Sequence, residues 1–340
     1  IERHVAGAAV KKPAEFKVIG KSFTRRDARQ KVTGEAKFAG DIELPGMLHA
    51  RILRPPAHGA TLAEVDLAEA QKVDGARVVR DGDLIAVLHP RPDVAEQALA
   101  KVKARFDTPA ATVDTDSIFD HLLQVAPKPN VVAEGGDLVQ GTAASTAVVE
   151  ATYLNDYVAH APMEPHTAVV HVEGGKARVW ASTQTPFPAK AEVARALGFP
   201  EENVRVLPVF VGGGFGGKSR NQQIVEAARL SKLCGQPVQV DWSRAEEFFY
   251  DTFRPAAIVK IRGGVNAEGR LSLWDYGVYF AGERGAAQFY DIPAHRTLAY
   301  NAGWVGGTGT HPFATGAWRA PGNNTNSYAR ECHIQLLAAR

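Results

Sequence analysis

The sequence predicts an α+β fold, in which short strands alternate with amphipathic helices. Between residues 93 and 106, apolar residues recur at every fourth position from Val94 to Phe106, as they do along one face of a helix. The segments 167–172 and 176–182 instead alternate and are rich in β-branched residues, which favours strands. The segment 204–211 is a nearly continuous apolar run, which is typical of a buried strand.

The same criteria place the remaining elements along the chain. Helices are predicted, in order, at residues 93–106, 187–197, 219–233 and 325–339. Strands are predicted at residues 48–53, 83–88, 147–153, 167–172, 176–182, 204–211, 237–240, 256–263 and 271–280. The last helix carries no Gly, Asn or Pro stop signal before Arg340, so we expect the sequence to be cut short there.

These elements group into an arm, two domains and a linker. Residues 1–30 are basic and lack periodicity, which predicts an arm. Residues 31–107 form a first domain of mixed pattern. Residues 108–141 combine Pro, Asp and Gly with short apolar pieces, which predicts a linker across the surface. Residues 142–340 carry the clearest patterns and form the second domain, which we expect to be incomplete at its C-terminus.

Composition argues against several classes of function. The chain has 340 residues, of which 45% are hydrophobic and 22% charged, and its formal net charge is +2. This balance gives no reason to expect nucleic acid or a membrane surface as a partner, and no apolar run is long enough to span a bilayer. The two cysteines, Cys234 and Cys332, are too few to hold an iron–sulfur cluster. Electrons from any redox reaction would therefore leave through another chain.

The most informative segment is the run Gly-Gly-Gly-Phe-Gly-Gly-Lys-Ser at residues 212–219, between a predicted strand and a predicted helix. Glycine lets the backbone approach a ligand closely, and N–H groups beside a helix N-terminus attract anions. The run satisfies the P-loop pattern G-x-x-x-x-G-K-S and the dinucleotide pattern G-x-G-x-x-G, and Asp241 could serve either one. Because a glycine-rich run matches such patterns easily, the loop alone leaves phosphate binding and close backbone packing open.

Other segments decide between these interpretations. The sequence contains GEAKFAGD and LPGMLHA within residues 34–50, HAPMEPH at 160–166, STQTP at 182–186 and WRAPG at 318–322. With the glycine loop, these segments resemble the molybdenum hydroxylases of the xanthine dehydrogenase/aldehyde oxidoreductase family, in that family's order and over nearly the whole chain. The resemblance implies an a/b hammerhead-like domain followed by the first molybdenum-cofactor-binding domain.

The resemblance also implies roles for individual residues. Gln184 matches a glutamine near the apical oxygen of molybdenum, where its amide can donate a hydrogen bond without adding charge. Arg319 matches an arginine that approaches the anionic dithiolene and phosphate groups. The implied cofactor-binding set is Gln184, Gly213, Gly214, Phe215, Gly216 and Arg319. The implied substrate pocket contains Phe215, Ser219 and Arg284.

Two departures from the family pattern limit what the chain can do alone. Ser219 stands where xanthine-type members carry a glutamate, so an aldehyde or another aromatic N-heterocycle is favoured over xanthine. The general-base glutamate lies near the far end of longer relatives, and we expect it outside this chain. Glu164 is expected to be structural. His160 and His166 are expected to be satisfied polar residues rather than metal ligands, because Pro162 interrupts the helix that such spacing requires.

The resemblance implies a cofactor and partners as well. It implies a molybdenum cofactor, as molybdopterin or its cytosine dinucleotide form, with no direct protein ligand to the metal. It also implies the remaining cofactor-binding half, a small [2Fe–2S] subunit, and either an FAD or a cytochrome subunit. The expected activity is oxidative hydroxylation with water as the oxygen source, and the expected compartment is the periplasm, with the cytoplasm as the alternative. A P-loop ATPase and a non-catalytic assembly scaffold are the alternative functions.

Overall fold

The computed structural model describes residue 7 and residues 9–300 and 310–340. Residues 1–6 and 8 of the predicted arm lie outside the described residues. The chain divides into two compact units at Lys37. In the first unit, helix α1 (Ala28–Thr33) ends at Gly34, whose φ of 77° is left-handed, as is common for glycine at a helix end.

The second unit, residues 38–340, contains the remaining elements. Its described helices are α2 (Ala68–Gln71), α3 (Pro92–Leu99), α4 (Ile118–Gln124), α5 (Leu138–Ala143), α6 (Pro186–Leu197), α7 (Gln222–Cys234), α8 (Arg244–Tyr250) and α9 (Asn323–Ala338). Its described strands are β1 (Leu48–Ile52), β2 (Thr61–Asp66), β3 (Arg77–Asp81), β4 (Leu84–His89), β5 (Lys103–Asp107), β6 (Asn130–Gly135), β7 (Ala147–Asn155), β8 (Thr167–Glu173), β9 (Lys176–Ala181), β10 (Val204–Leu207), β11 (Val238–Asp241), β12 (Ala257–Val265), β13 (Leu271–Tyr279) and β14 (Ala294–Tyr300).

A seven-stranded mixed sheet in the order β10-β9-β8-β11-β1-β4-β3 organises the first core. Strand β1 alternates buried and partly exposed residues, so one of its faces packs into the core. Helix α7 lies against β8 and β11, and α3 lies against β1 and β4. Ile224 and Leu230 of α7 are fully buried, and each such side chain contributes about 1.5–3 kcal/mol of hydrophobic stabilisation. This packing fixes the start of α7 next to the glycine loop.

A five-stranded sheet in the order β6-β14-β13-β12-β7 organises the second core. Helix α9 covers β12 and β7, and its Ala329 and Leu337 belong to the same buried cluster as Trp274 and Tyr276 of β13. Strands β2 and β5 form a separate two-stranded sheet. The mixture of helices with these sheets confirms the predicted α+β class.

Three predicted elements differ from the structure. The helix predicted at 93–106 ends at Leu99, because residues 103–107 form β5, which pairs with β2. The strand predicted at 204–211 ends at Leu207, and Phe210 forms an isolated bridge to Phe38 outside it. The helix predicted to begin at residue 219 begins at Gln222, because a 3-10 turn occupies Gly217–Ser219.

The segment predicted as a linker, residues 108–141, is not an irregular crossing. It contains α4, β6 and the start of α5, and β6 pairs with β14 at the edge of the five-stranded sheet. The two predicted domains also share the seven-stranded sheet, because β1 pairs with β11 in parallel, with Leu48 opposite Val238. The predicted boundaries therefore divide a sheet that the structure keeps whole.

Candidate functional site

Gln184 and the glycine loop are fastened to each other twice. The backbone N–H of Gln184 donates to the carbonyl of Lys218 at 2.7 Å, and its side-chain Oε1 accepts from the N–H of Gly216 at 2.9 Å. A backbone N–H can only donate, so it fixes the amide oxygen toward the loop and turns the NH₂ group away. Among the hydrogen bonds of the described residues, that NH₂ group donates to none. Gln184 therefore presents an oriented, uncharged donor at an exposed position.

The glycines of the loop are required by close approaches of the chain. A Cβ on Gly214 would overlap Oε1 of Gln184, and a Cβ on Gly216 would overlap the carbonyl oxygen of Ala317. Gly213 and Gly216 have φ values of 96° and 118°, which side chains rarely adopt. The loop thus brings bare backbone against the two neighbouring turns.

Phe215 is held in a left-handed conformation at the tip of this loop. Its φ is 53°, and its side chain is 44% exposed. A large residue in this region is strained and is retained only where its surroundings determine it, which is common at ligand sites. Its carbonyl accepts a hydrogen bond from the N–H of Arg319 at 2.8 Å. The residue after Arg319, Ala320, is also left-handed, with a φ of 58°.

The turn that carries Arg319 is anchored on both sides. The indole Nε1–H of Trp318 donates to the carbonyl of Ala159 at 3.2 Å, and the guanidinium of Arg254 lies 5.4 Å from the centroid of the Trp318 ring. The side chain of Arg319 is exposed. The structure therefore brings together the backbones of Gln184, Phe215 and Arg319 from three separate turns.

A buried ion pair links the two ends of the glycine loop, residues 212 and 218, through Glu164. Nζ of Lys218 donates to Oε2 of Glu164 at 2.8 Å, and the same oxygen accepts from the N–H of Gly212 at 2.6 Å. The Lys218 side chain is fully buried. Burial lowers the pKa of Lys218, and the Glu164 carboxylate opposes that change. Glu164 is thus structural, as the sequence predicted.

This arrangement contradicts both phosphate-binding interpretations of the loop. The ammonium of Lys218 points inward and is already paired, so it cannot reach a nucleotide phosphate. The N–H groups of Gly212, Gly216 and Gly217 already donate within the protein. Asp241 accepts from a threonine hydroxyl at 2.8 Å. The loop is therefore a close-packed turn rather than a phosphate cradle.

The two histidines of the 160–166 segment are buried and paired, as predicted. His160 contacts Asp251 through Nδ1 at 2.8 Å and the carbonyl of Ala317 through Nε2 at 2.9 Å. His166 contacts Glu247 through Nδ1 at 3.0 Å. No group of three or more His, Cys, Asp or Glu side chains within the described residues could hold a metal ion.

The two remaining predicted pocket residues occupy different places. Ser219 is exposed. It lies beside the Gln184 turn, since its carbonyl accepts a hydrogen bond from the hydroxyl of Thr185 at 3.2 Å. Arg284 lies against α9 instead, where its carbonyl accepts a hydrogen bond from the side-chain amide of Asn326 at 3.0 Å. It therefore lies near the start of α9, just after the turn that carries Arg319.

Sequence reasoning missed the supports beneath the site. Asp251 and Ala317 gave no local signal, because they meet His160 only through the fold, at separations of 91 and 157 residues. The prolines on either side of Glu164, Pro162 and Pro165, were the one local clue, because proline restricts the backbone around this carboxylate. The partner of that carboxylate, Lys218, was hidden by its place in a P-loop pattern.

The residues around the loop fit an anionic, metal-bearing cofactor. They include an uncharged amide donor at Gln184, an exposed cation at Arg319 and backbone without side chains in the loop. The exposed ring of Phe215 adds an apolar wall. An always-charged guanidinium and neutral donors are suited to anionic groups. This donor set matches the chemistry of molybdopterin.

Comparisons with known proteins identify the family of this chain. Residues 123–340 match the family model of the molybdopterin cofactor-binding domain. Over 286 residues the chain is 29% identical to one of the subunits of nicotinate dehydrogenase from Pseudomonas putida, covering 80% of this chain and 24% of that protein. It is 28% identical over 316 residues to the nicotinate dehydrogenase large molybdopterin subunit of Eubacterium barkeri, covering 81% of this chain and 73% of that protein.

Solved structures show the same fold. The aldehyde oxidoreductase from Desulfovibrio gigas superposes with a TM-score of 0.79 at 21% identity, over 97% of this chain and 43% of that one. Quinoline 2-oxidoreductase from Pseudomonas putida 86 gives a TM-score of 0.75 at 22% identity, over 94% of this chain and 48% of that one. The chain thus spans less than half the length of these two proteins.

The chain belongs to the molybdopterin cofactor-binding domain family, of the xanthine dehydrogenase/aldehyde oxidoreductase type. This confirms the resemblance drawn from the sequence. The family match begins at residue 123, inside the segment predicted as a linker. Among the described residues, no helix has both the length and the apolar character needed to cross a bilayer.

Proposed function

We propose that this chain forms one side of the cofactor site of a molybdenum hydroxylase. The reaction is the oxidation of an aldehyde or an aromatic N-heterocycle, with water as the oxygen source and an iron–sulfur partner as the electron acceptor. Relatives named for nicotinate, isoquinoline and aldehyde oxidation support this substrate range. Relatives named as subunits support the need for partner chains.

One observation carries the proposal: the Gly216 N–H fixes the Gln184 amide so that its NH₂ group points away from the loop. The cofactor, when bound, supplies the two-electron redox chemistry. Gln184 would then donate a hydrogen bond without adding negative charge, and Arg319 would supply a cation for an anionic group. The exposed Phe215 ring would offer a flat apolar surface to the substrate.

Ser219 narrows the substrate class. It is exposed beside the Gln184 turn and carries no charge. A substrate that needs a carboxylate partner at this position, such as xanthine, is therefore disfavoured. The general base, the cytosine dinucleotide form of the pterin, the FAD or cytochrome partner and the periplasmic location stay predictions.

The test is the metal content and activity of the chain purified together with its partner chains. We expect about one molybdenum per copy of the chain by elemental analysis, and reduction of an electron-accepting dye by an aldehyde or an N-heterocycle. Gln184→Glu keeps the acceptor for Gly216 but replaces the donor with a charged acceptor. We expect it to lower dye reduction by about a hundredfold to a thousandfold, by analogy with the loss of one oriented donor.

Gln71→Ala is the matched control, because Gln71 is an exposed glutamine at the end of α2. It should leave both the metal content and the rate unchanged. Absence of molybdenum from the purified complex would refute the proposal. Molybdenum without any dye reduction would favour the scaffold alternative.

A further inference from the structure

His160 joins three segments of the site through one ring. Its side chain is fully buried, and its two ring nitrogens lie 2.8 Å from Oδ2 of Asp251 and 2.9 Å from the carbonyl oxygen of Ala317. The ring also lies against the glycine loop, since a Cβ on Gly217 would be 2.8 Å from Nδ1. The imidazole thus touches the end of α8, the glycine loop and the turn before Arg319.

Both partners of this ring are hydrogen-bond acceptors. A carbonyl oxygen and an ionised carboxylate accept but do not donate, whereas a neutral imidazole has only one N–H. Both contacts are hydrogen bonds only if both ring nitrogens carry protons. The negative charge of the Asp251 carboxylate would balance the positive charge of this ring. The other carboxylate oxygen of Asp251 accepts a hydrogen bond from the N–H of Thr252 at 2.6 Å, which holds the carboxylate in place.

We propose that His160 is a positioning residue: as an imidazolium it donates to Asp251 and to Ala317 at once, and so holds the turn of Arg319 against the glycine loop. Ala317 lies two residues before Arg319, whose N–H donates to the carbonyl of Phe215 at 2.8 Å. The link to the cofactor rests on the proposed function, but the protonation state and the hold on the turn do not.

Loss of the second proton would release this turn. The remaining proton would stay on Nδ1, which faces the carboxylate, so a lone pair on Nε2 would face the oxygen of Ala317. Two lone pairs at that distance repel each other. The N–H of Arg319 would then lose the support that keeps it on Phe215.

The charged groups around His160 set the direction of its titration. Asp251, the residue that follows α8, contacts it directly. Lys218 interacts with the charges of Asp251 and Glu247, and Glu247 is itself paired with His166 rather than with His160. Burial alone lowers the pKa of His160, but the hydrogen bond and charge of Asp251 outweigh it, so that the pKa is raised. The hold on the turn is therefore present below the ordinary histidine pKa of 6.5 and is lost as the pH rises through this raised pKa.

The test is hydrogen exchange at the Arg319 amide in the full chain, measured by mass spectrometry and corrected for the intrinsic rate at each pH. Between about pH 6 and about pH 10, we expect protection of this amide to fall by about tenfold, as for loss of a charge-assisted hydrogen bond. Asp251→Asn should abolish that fall. An asparagine amide can donate to Nδ1, so a neutral ring keeps its proton on Nε2 and its bond to Ala317.

Glu247→Gln is the matched control, because it alters the other buried histidine–carboxylate pair and should keep the pH dependence of the native chain. Nitrogen-15 spectra of histidine-labelled protein should show both ring nitrogens of His160 protonated at about pH 6, with the signal assigned by its loss in His160→Gln. A neutral ring at about pH 6, or equal pH dependence in Asp251→Asn and the native chain, would overturn the proposal. Neither readout uses the cofactor, so this outcome would leave the proposed function standing.

Discussion

Breaking the ion pair under the glycine loop should cost far more than removing it as a whole. In Glu164→Gln, the new amide oxygen can still accept from the N–H of Gly212, but the carboxylate charge is gone. The ammonium of Lys218, which is fully buried, then has no negative partner on this side chain. Removing one member of a buried pair typically costs about 3–5 kcal/mol. We expect this loss in the free energy of unfolding.

The double variant separates charge from shape. Glu164→Gln combined with Lys218→Met replaces the pair with neutral side chains of similar length. Such a replacement is often close to neutral, so we expect the double variant to lie within about 1 kcal/mol of the native chain. The two substitutions should therefore show a coupling energy of several kcal/mol rather than additive effects.

Urea denaturation of the four proteins, followed by tryptophan fluorescence, measures this coupling. The midpoint should shift without a change in slope, because the surface exposed on unfolding stays the same. The reasoning fails if Glu164→Gln costs less than about 1 kcal/mol, or if the two single costs simply add in the double variant. Either result would mean that Lys218 reaches solvent or another anion.

Three further predictions test the surroundings of the site. Gly216→Ala places a Cβ onto a backbone carbonyl oxygen and should reduce the yield of folded protein sharply, whereas Gly174→Ala, also at positive φ but in open space, should cost about 1–2 kcal/mol by urea denaturation. Burial lowers the pKa of His333 to about 4, so the unfolded chain binds more protons than the folded one between about pH 4 and the ordinary value of 6.5, and stability falls as the pH falls through this window. His333→Phe should flatten that dependence, as measured by urea midpoints at several pH values; an unchanged slope would contradict it. Arg54→Met leaves the buried Glu226 and the partly buried Glu246 without their shared cation and should cost about 3–5 kcal/mol. The same change at the exposed Arg91 should cost under about 0.5 kcal/mol, and equal costs would refute the argument.

Local periodicity predicted the central elements of the fold well. The strands predicted at 147–153, 167–172 and 176–182 match β7, β8 and β9 to within two residues. The helix predicted at 187–197 matches α6 to within one residue, because its sequence pattern is matched by a Gly C-cap at residue 198. In these segments, local preference and tertiary packing agree.

The prediction failed where a distant strand decides the structure. Val102 and Phe106 are four residues apart, which suits a helix, but residues 103–107 pair with β2 and become a strand. Residues 130–135 read as part of a linker because the strand that pairs with them begins at Ala294. A short segment takes its conformation from such a partner, and nothing local specifies it.

The site shows the same division. The positions of Gln184, Phe215 and Arg319 could be chosen from the sequence, and their backbones meet in the structure. Their roles toward a cofactor stay predictions. The buried contacts that hold those turns, such as His160 with Asp251, depend on three-dimensional proximity and could not be found.

The parallel pairing of β1 with β11 also constrains how the chain acquires its structure. Residues 190 positions apart must meet before the centre of the seven-stranded sheet exists, with Leu48 opposite Val238. Contacts of such long sequence separation slow folding, because loop closure precedes any stabilising gain. During synthesis, β1 therefore has no β11 to pair with until residues 238–241 have been made. Until then this edge of β1 is unpaired and open to aggregation.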